Sequence, residues 1–174
     1  MTFSRAVRTC LARYATFRGR ASRAEYWWFV LFVLLGSVAT SLVDQALFGL
    51  PAVDPVDPAG HPTGPVEGLF GLVMLIPLLS AGWRRMHDTG RSGILLFYPL
   101  IVMIGISTFA GLMGGFAPLL DGNFGALFAG GAGLVIALAL FVLFLSPLVV
   151  IWWLASPSEP GPNTHGPNPH EVTS

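Results

Sequence analysis

Lysine is absent, cysteine occurs once, and only 10% of the 174 residues are charged. The single cysteine, Cys10, excludes an internal disulfide and argues against a thiolate metal centre. Soluble domains carry roughly 25% charged residues. Here 53% of the chain is hydrophobic, and a compact core of this size has no room for so much apolar surface. Lipid must solvate much of it. Ionisable groups are also scarce within the long apolar runs; Asp44 is the candidate, near the outer end of the first run. That scarcity argues against a proton relay across the membrane, while leaving room for a passive pore or a neutral solute.

With no lysine, the positive charge rests on nine arginines. Six precede Glu25, three lie between Arg84 and Arg91, and none follows. Arginine confined to short patches beside apolar runs is the pattern of a multi-span membrane protein. The runs predict spans over residues 26–48, 66–83, 94–113 and 126–154, each near or above the ~20 residues a crossing helix needs. Pro77 is expected to kink the second span and Pro147 to interrupt the fourth. Residues 50–65 are rich in proline, glycine and aspartate and read as an exposed loop. Ser37-Val38-Ala39 looks like a small-residue cleavage site, but the apolar run continues past it and no cleavage is expected. Positive-inside logic puts residues 1–25, the connection at Arg84–Gly93 and the tail 155–174 in the cytoplasm, so both termini are inside. The tail is rich in proline and asparagine and is expected to lack regular structure.

Before the first span, Phe3, Val7, Cys10, Leu11 and Tyr14 share one helical face, with Arg5, Arg8 and Arg13 elsewhere on the wheel. This suits an amphipathic helix lying on the cytoplasmic leaflet. The plainer alternative is a lead-in with ordinary positive-inside charge. The expected fold is therefore an all-α membrane protein, a four-transmembrane-helix bundle with an N-terminal amphipathic interfacial helix.

Two motifs carry most of the polar chemistry. In Gly19-Arg20-Ala21-Ser22-Arg23-Ala24-Glu25-Tyr26-Trp27, Ser22 and Glu25 have capping-box spacing, and Tyr26, Trp27 and Trp28 suit headgroup depth. In Arg84-Arg85-Met86-His87-Asp88-Thr89-Gly90-Arg91-Ser92-Gly93, Asp88-Thr89-Gly90 is turn chemistry. Neither cap nor turn needs so many arginines, which are suited to phosphate or carboxylate. Both motifs fall at one membrane face, so Glu25 and Asp88 are expected to pair arginines of the opposite segment. His87 beside Asp88 invites a catalytic or metal reading. Neighbours diverge on a helix, however, and no nucleophile or further ligand cluster accompanies them, so neither a catalytic residue nor a bound metal is expected.

These motifs, with Pro160-Gly161-Pro162-Asn163-Thr164-His165-Gly166-Pro167-Asn168-Pro169, resemble the YhaH-type family of small bacterial inner-membrane proteins, a family of unknown function. Its pattern is GRASR-x-EYW before the first span, RR-x-HD-x-GRSG in the connection, and a closing glycine-, asparagine- and proline-bearing tail. This chain departs from it at Met86, where leucine is usual, at Ile94-Leu95 in place of tryptophans, and at Thr164-His165 in place of a basic–aromatic pair. The resemblance implies a four-span inner-membrane protein and brings no activity, substrate or catalytic residue.

Small residues recur at Gly111 and Gly115 and at Ala129, Gly133 and Ala137. Such stripes serve packing within a bundle or, alternatively, a homo-oligomer contact. Asp54, Asp57, His61 and Glu67 make only a weak cation site, and His165 and His170 are too sparse for a metal tract. The expected function is non-enzymatic, without cofactor or nucleic acid. Arg20, Arg23, Glu25, Arg84, Arg85, His87, Asp88 and Arg91 form a cytoplasmic layer that binds anionic lipid headgroups or a membrane partner protein. The alternative is an oligomeric small-solute transporter or channel component.

Overall fold

The computed structural model describes residues 1–49, 64–112, 122, 130–169 and 171. Among these, regular structure is helical: α1 (Phe3–Ala12), α2 (Arg23–Phe48), α3 (Pro65–Asp88), a 3-10 turn (Gly93–Phe97), α4 (Tyr98–Leu112) and α5 (Gly130–Ala155). The one β-type pairing described is an isolated bridge between Asn163 and Gly166. The chain divides into two compact units, Met1–Gly90 with Pro157–Ser174, and Arg91–Ser156.

In the first unit α1 lies against α2 and α3, and α2 packs along α3. Ser22 caps α2, its hydroxyl accepting from the Glu25 N–H at 3.2 Å, and Gly49 ends the helix in the left-handed conformation at φ 60°. The helix thus begins at Arg23, ahead of the expected Tyr26. At its other end Asp44 is 1% exposed and accepts from the N–H groups of Val66 (3.0 Å) and Glu67 (2.7 Å). Pro65 opens α3 without an N–H of its own, and the Asp44 carboxylate satisfies the next two donors. Glu67, expected in the outer loop, sits in that first turn and accepts from the Ser37 hydroxyl at 3.0 Å.

Pro77 lies inside α3 and cannot donate to the carbonyl of Val73. The Tyr14 hydroxyl, just beyond α1, donates to that carbonyl instead. Three residues on, the Ser80 hydroxyl bonds to the carbonyls of Pro77 (3.1 Å) and Arg13 (3.2 Å). The proline therefore creates the acceptor that docks the α1 segment. α3 then runs beyond the expected end at Trp83 as far as Asp88.

In the second unit α4 packs on α5. The expected continuous third span begins as a 3-10 turn because Pro99 withholds the donor for an α-helical bond to Leu95. In α5 the same defect recurs: Pro147 frees the Leu143 carbonyl, which accepts from the Ser146 hydroxyl at 2.8 Å.

Three helices, Arg23–Phe48, Pro65–Asp88 and Leu134–Ala155, are long and apolar enough to cross a membrane, and Gly93–Phe109 is apolar but shorter. Their outward faces carry Leu34, Leu42, Leu69, Leu72, Leu138 and Phe144, each more than half exposed. Burial is inverted relative to a soluble protein: the largest fully buried described side chains are Arg84 and Arg85. Apolar surface outside and charge inside is what lipid selects, and the chain is an all-α membrane protein. The proposed loop residues Asp54, Asp57 and His61, the small residues Gly115 and Ala129, and His170 lie outside the described residues.

A β-carbon at Gly64 would overlap the Asp44 side chain. Gly64→Ala is expected to cost about 1–3 kcal/mol by overpacking. Asp44→Ala is expected to cost ~1 kcal/mol by loss of the cap. Thermal unfolding in detergent should show the double variant costing less than the sum, because both changes act on one contact.

Candidate functional site: a buried ion-pair layer

The site lies at one end of the first unit, where the segment before α2, the last turn of α3 and the C-terminal tail converge. Arg20, Arg84, Arg85, Glu25 and Asp88 are all at least 95% buried. Two carboxylates organise them. Glu25 accepts from Arg84 Nη1 at 2.5 Å, with the Cys10 thiol 3.8 Å from the same oxygen. Asp88 accepts from Arg20 Nε at 2.9 Å on one oxygen and from Arg85 Nη1 and the Ser158 hydroxyl (2.5 Å) on the other. The two motifs do pair across one layer. The capping box is only half made, because the Glu25 carboxylate serves Arg84.

Backbone contacts reinforce the pairing. The Ala21 N–H donates to the Arg84 carbonyl at 3.1 Å, and His87 Nδ1 lies 3.2 Å from the Gly19 carbonyl oxygen. Gly19 takes a positive φ of 85°, which turns this segment onto α3.

The described tail residues after Ser156 form no helix, as expected, yet the tail is fastened at every few residues. Arg20 donates to the carbonyls of Gly161 (Nη1, 2.7 Å) and Glu159 (Nη2, 2.6 Å). The Glu159 N–H donates to the Asp88 carbonyl at 2.8 Å, and Asn163 Nδ2 donates to the His87 carbonyl at 2.9 Å. Those carbonyls belong to the last turn of α3, and that of His87 also accepts from the Gly90 N–H at 3.1 Å. The tail therefore shares the C-terminal capping of α3 with the turn at Gly90. The His165 ring stacks on His87 with centroids 3.7 Å apart and planes 3° from parallel. Asn168 Nδ2 reaches Glu171 at 2.9 Å and the Glu159 carbonyl at 3.3 Å, closing the loop on itself.

Of the residues expected in the layer, Arg20, Glu25, Arg84, Arg85, His87 and Asp88 come together. Arg23 is the exposed first residue of α2. Arg91 belongs to the second unit, where its guanidinium lies 5.5 Å over the Trp153 ring. His87 and Asp88 do not form a dyad: the carboxylate serves arginines and Ser158, while the ring faces Gly19, His165 and the edge of Trp83. Among the described residues no cluster of three or more His, Cys, Asp or Glu is arranged to hold a metal. Ser158, Asn163 and Cys10 were not expected at the site. For the tail residues, the available signal was the fixed spacing of glycine and asparagine in Gly161, Asn163, Gly166 and Asn168.

Cys10 is fully buried at this layer. Burial first, and then the Glu25 carboxylate, push its thiol from 9.0 up to about 11, with Arg84 pulling the other way.

The profile of a family described as "Protein of unknown function (DUF805)" matches residues 14–167. Similar proteins include the Escherichia coli K12 "Inner membrane protein YhaH", 34% identical over 95 residues that span 55% of this chain and 72% of that protein. "Inner membrane protein YhaI" of the same strain is 34% identical over 96 residues, spanning 52% of this chain and 70% of that protein. No solved structure matches.

Removing one partner of a buried ion pair costs about 3–5 kcal/mol. Glu25→Gln should lower the unfolding temperature in detergent, and Glu25→Arg should lower it further or prevent accumulation in the membrane. Equal tolerance of the two would show that the Glu25–Arg84 pair does not hold α2 to α3. At pH 8 roughly one Cys10 thiol in a thousand is ionised in the folded protein, so maleimide labelling should be slow until the protein is denatured. The folded thiol holds its proton more tightly than the unfolded one, so its contribution to stability is lost as pH rises from 9.0 towards about 11. A Cys10→Ser variant should lack that alkaline component.

Proposed function

The chain belongs to this family, and from that premise we propose that it is a non-enzymatic inner-membrane protein that holds anionic lipid headgroups. In this reading both termini are cytoplasmic, and the N-terminal arginine-bearing segment is the contact. The observation that carries it is the division of labour among the arginines. Arg20, Arg84 and Arg85 are buried and engaged with carboxylates. Arg5, Arg8, Arg13 and Arg18 are exposed on α1 and the segment after it. Exposed Phe3, Leu11, Phe17, Trp27 and Trp28 accompany them. Aromatic and aliphatic side chains interleaved with arginines are the composition of a headgroup-depth surface. The buried layer is then the frame that fixes this segment against α2 and α3. Asp44, the ionisable candidate for a solute route, is engaged as the cap of α3, which weighs against the transport alternative.

The test is native mass spectrometry from a mild detergent, comparing wild type with Arg5→Gln/Arg8→Gln/Arg13→Gln/Arg18→Gln. Each arginine near an anionic surface contributes about 1 kcal/mol, so the variant should keep its fold and lose most of its retained phosphatidylglycerol or cardiolipin. Equal retention in the variant, or none in wild type, would refute the reading.

A further inference from the structure

The stacked histidines have a use that neither packing nor lipid binding calls for. We propose that His87 and His165 form a proton-operated latch, which holds the C-terminal tail on α3 when neutral and releases it on acidification.

The geometry favours two uncharged rings. They lie face to face at 3.7 Å, a good stacking distance for neutral imidazoles and a poor one for two cations. His87 is set on the last turn of α3, with Nδ1 at the Gly19 carbonyl oxygen and its edge towards Trp83. His165 is set in a short loop closed by the paired Asn163 and Gly166, with its N–H donating to Asn163 Oδ1 at 2.9 Å.

The surrounding charges do not offset a second proton. From the segment before α2 and its first turn come Arg20 and Arg23, and from α3 come Arg85 and Asp88. Asp88 is occupied by Arg20, Arg85 and Ser158. From the tail come Glu159 and Glu171: the Glu159 carboxylate accepts from Asn163 Nδ2 and that of Glu171 from Asn168 Nδ2. Among the described residues, neither imidazole forms an ion pair with a carboxylate.

Once the tail has left, the rings no longer face each other, and the repulsion that a second proton would meet between them is gone. Release therefore takes up at least one proton that the stacked pair resists, and lowering the pH favours release. With one such proton, the docking equilibrium falls between pH 7 and pH 5 by at most about 25-fold. Release strips Arg20 of its Glu159 and Gly161 acceptors and removes the tail's donors from the His87 and Asp88 carbonyls. The acid state thus differs from the neutral one in the exposure of a guanidinium and of the end of α3. The latch stands whether or not the protein binds lipid.

Hydrogen exchange of the full-length protein in nanodiscs, followed by mass spectrometry of the tail and corrected for intrinsic rates, tests this. The reporter is the Glu159 amide, which bonds to Asp88. Wild-type protection should fall several-fold from pH 7 to pH 5. His165→Phe keeps a stacking ring that takes no proton, and its acid loss should be smaller than the wild type's, the remainder coming from His87. His165→Ala should be less protected at every pH, with the same reduced acid loss. Flat wild-type protection overturns the latch whatever the variants do, and so does an equal acid loss in His165→Phe.

Discussion

Three buried arginines face two buried carboxylates at one end of the first unit, and the rest of that unit is arranged around the imbalance. A desolvated ion costs several kcal/mol even in a relaxed protein interior, so Glu25 and Asp88 account for two of the cations and leave a surplus of one. The surplus is met by dipoles. The C-terminal turn of α3 presents the negative end of its macrodipole there, and the tail adds the carbonyls of Glu159 and Gly161 around Arg20. The tail in turn gives donors to the carbonyls of His87 and Asp88, the first shared with the Gly90 N–H and the second with Arg20. Each side needs what the other has, which explains why a proline-rich segment with no helix stays in place.

The same requirement, that no polar group be left dry and alone, recurs along the helices. In hydrocarbon an unsatisfied backbone group costs several kcal/mol. Pro77 frees the Val73 carbonyl and Tyr14 takes it; Pro147 frees the Leu143 carbonyl and Ser146 takes it. The first of these repairs comes from a different element and ties α1 to α3. The second is local and ties nothing. A proline within a span is thus a docking point only where a donor from elsewhere reaches it.

Charge placement and apolar runs made the class and most helices legible in the sequence, and the pairing of Glu25 and Asp88 with arginines of the facing motif followed from cost alone. The helix ends were less legible for a physical reason. Arginine after Trp83 reads as solvent-facing, yet Arg84 and Arg85 are inside, so α3 continues for a turn longer. Pro99 carried the information that α4 starts late, but the apolar composition around it conceals a broken backbone ladder. The tail was hardest to read. Its binding uses backbone carbonyls of Glu159 and Gly161, which leave no side-chain signature, and its side-chain donors to α3 include Ser158 and Asn163.

The absence of lysine matches the geometry at Arg20. Its guanidinium makes five hydrogen bonds, to both the side chain and the carbonyl of Asp88 and to the carbonyls of Glu159, Gly161 and Gly166. An ammonium is a compact charge with three donors on a flexible stem and cannot span acceptors on two separate segments. It is also more strongly hydrated, and so is more costly to bury beside Asp88. The planar fork lets one side chain join the segment before α2, the end of α3 and the tail. A layer built on that fork binds its own chain first, and Arg5, Arg8, Arg13 and Arg18 are the arginines it leaves exposed.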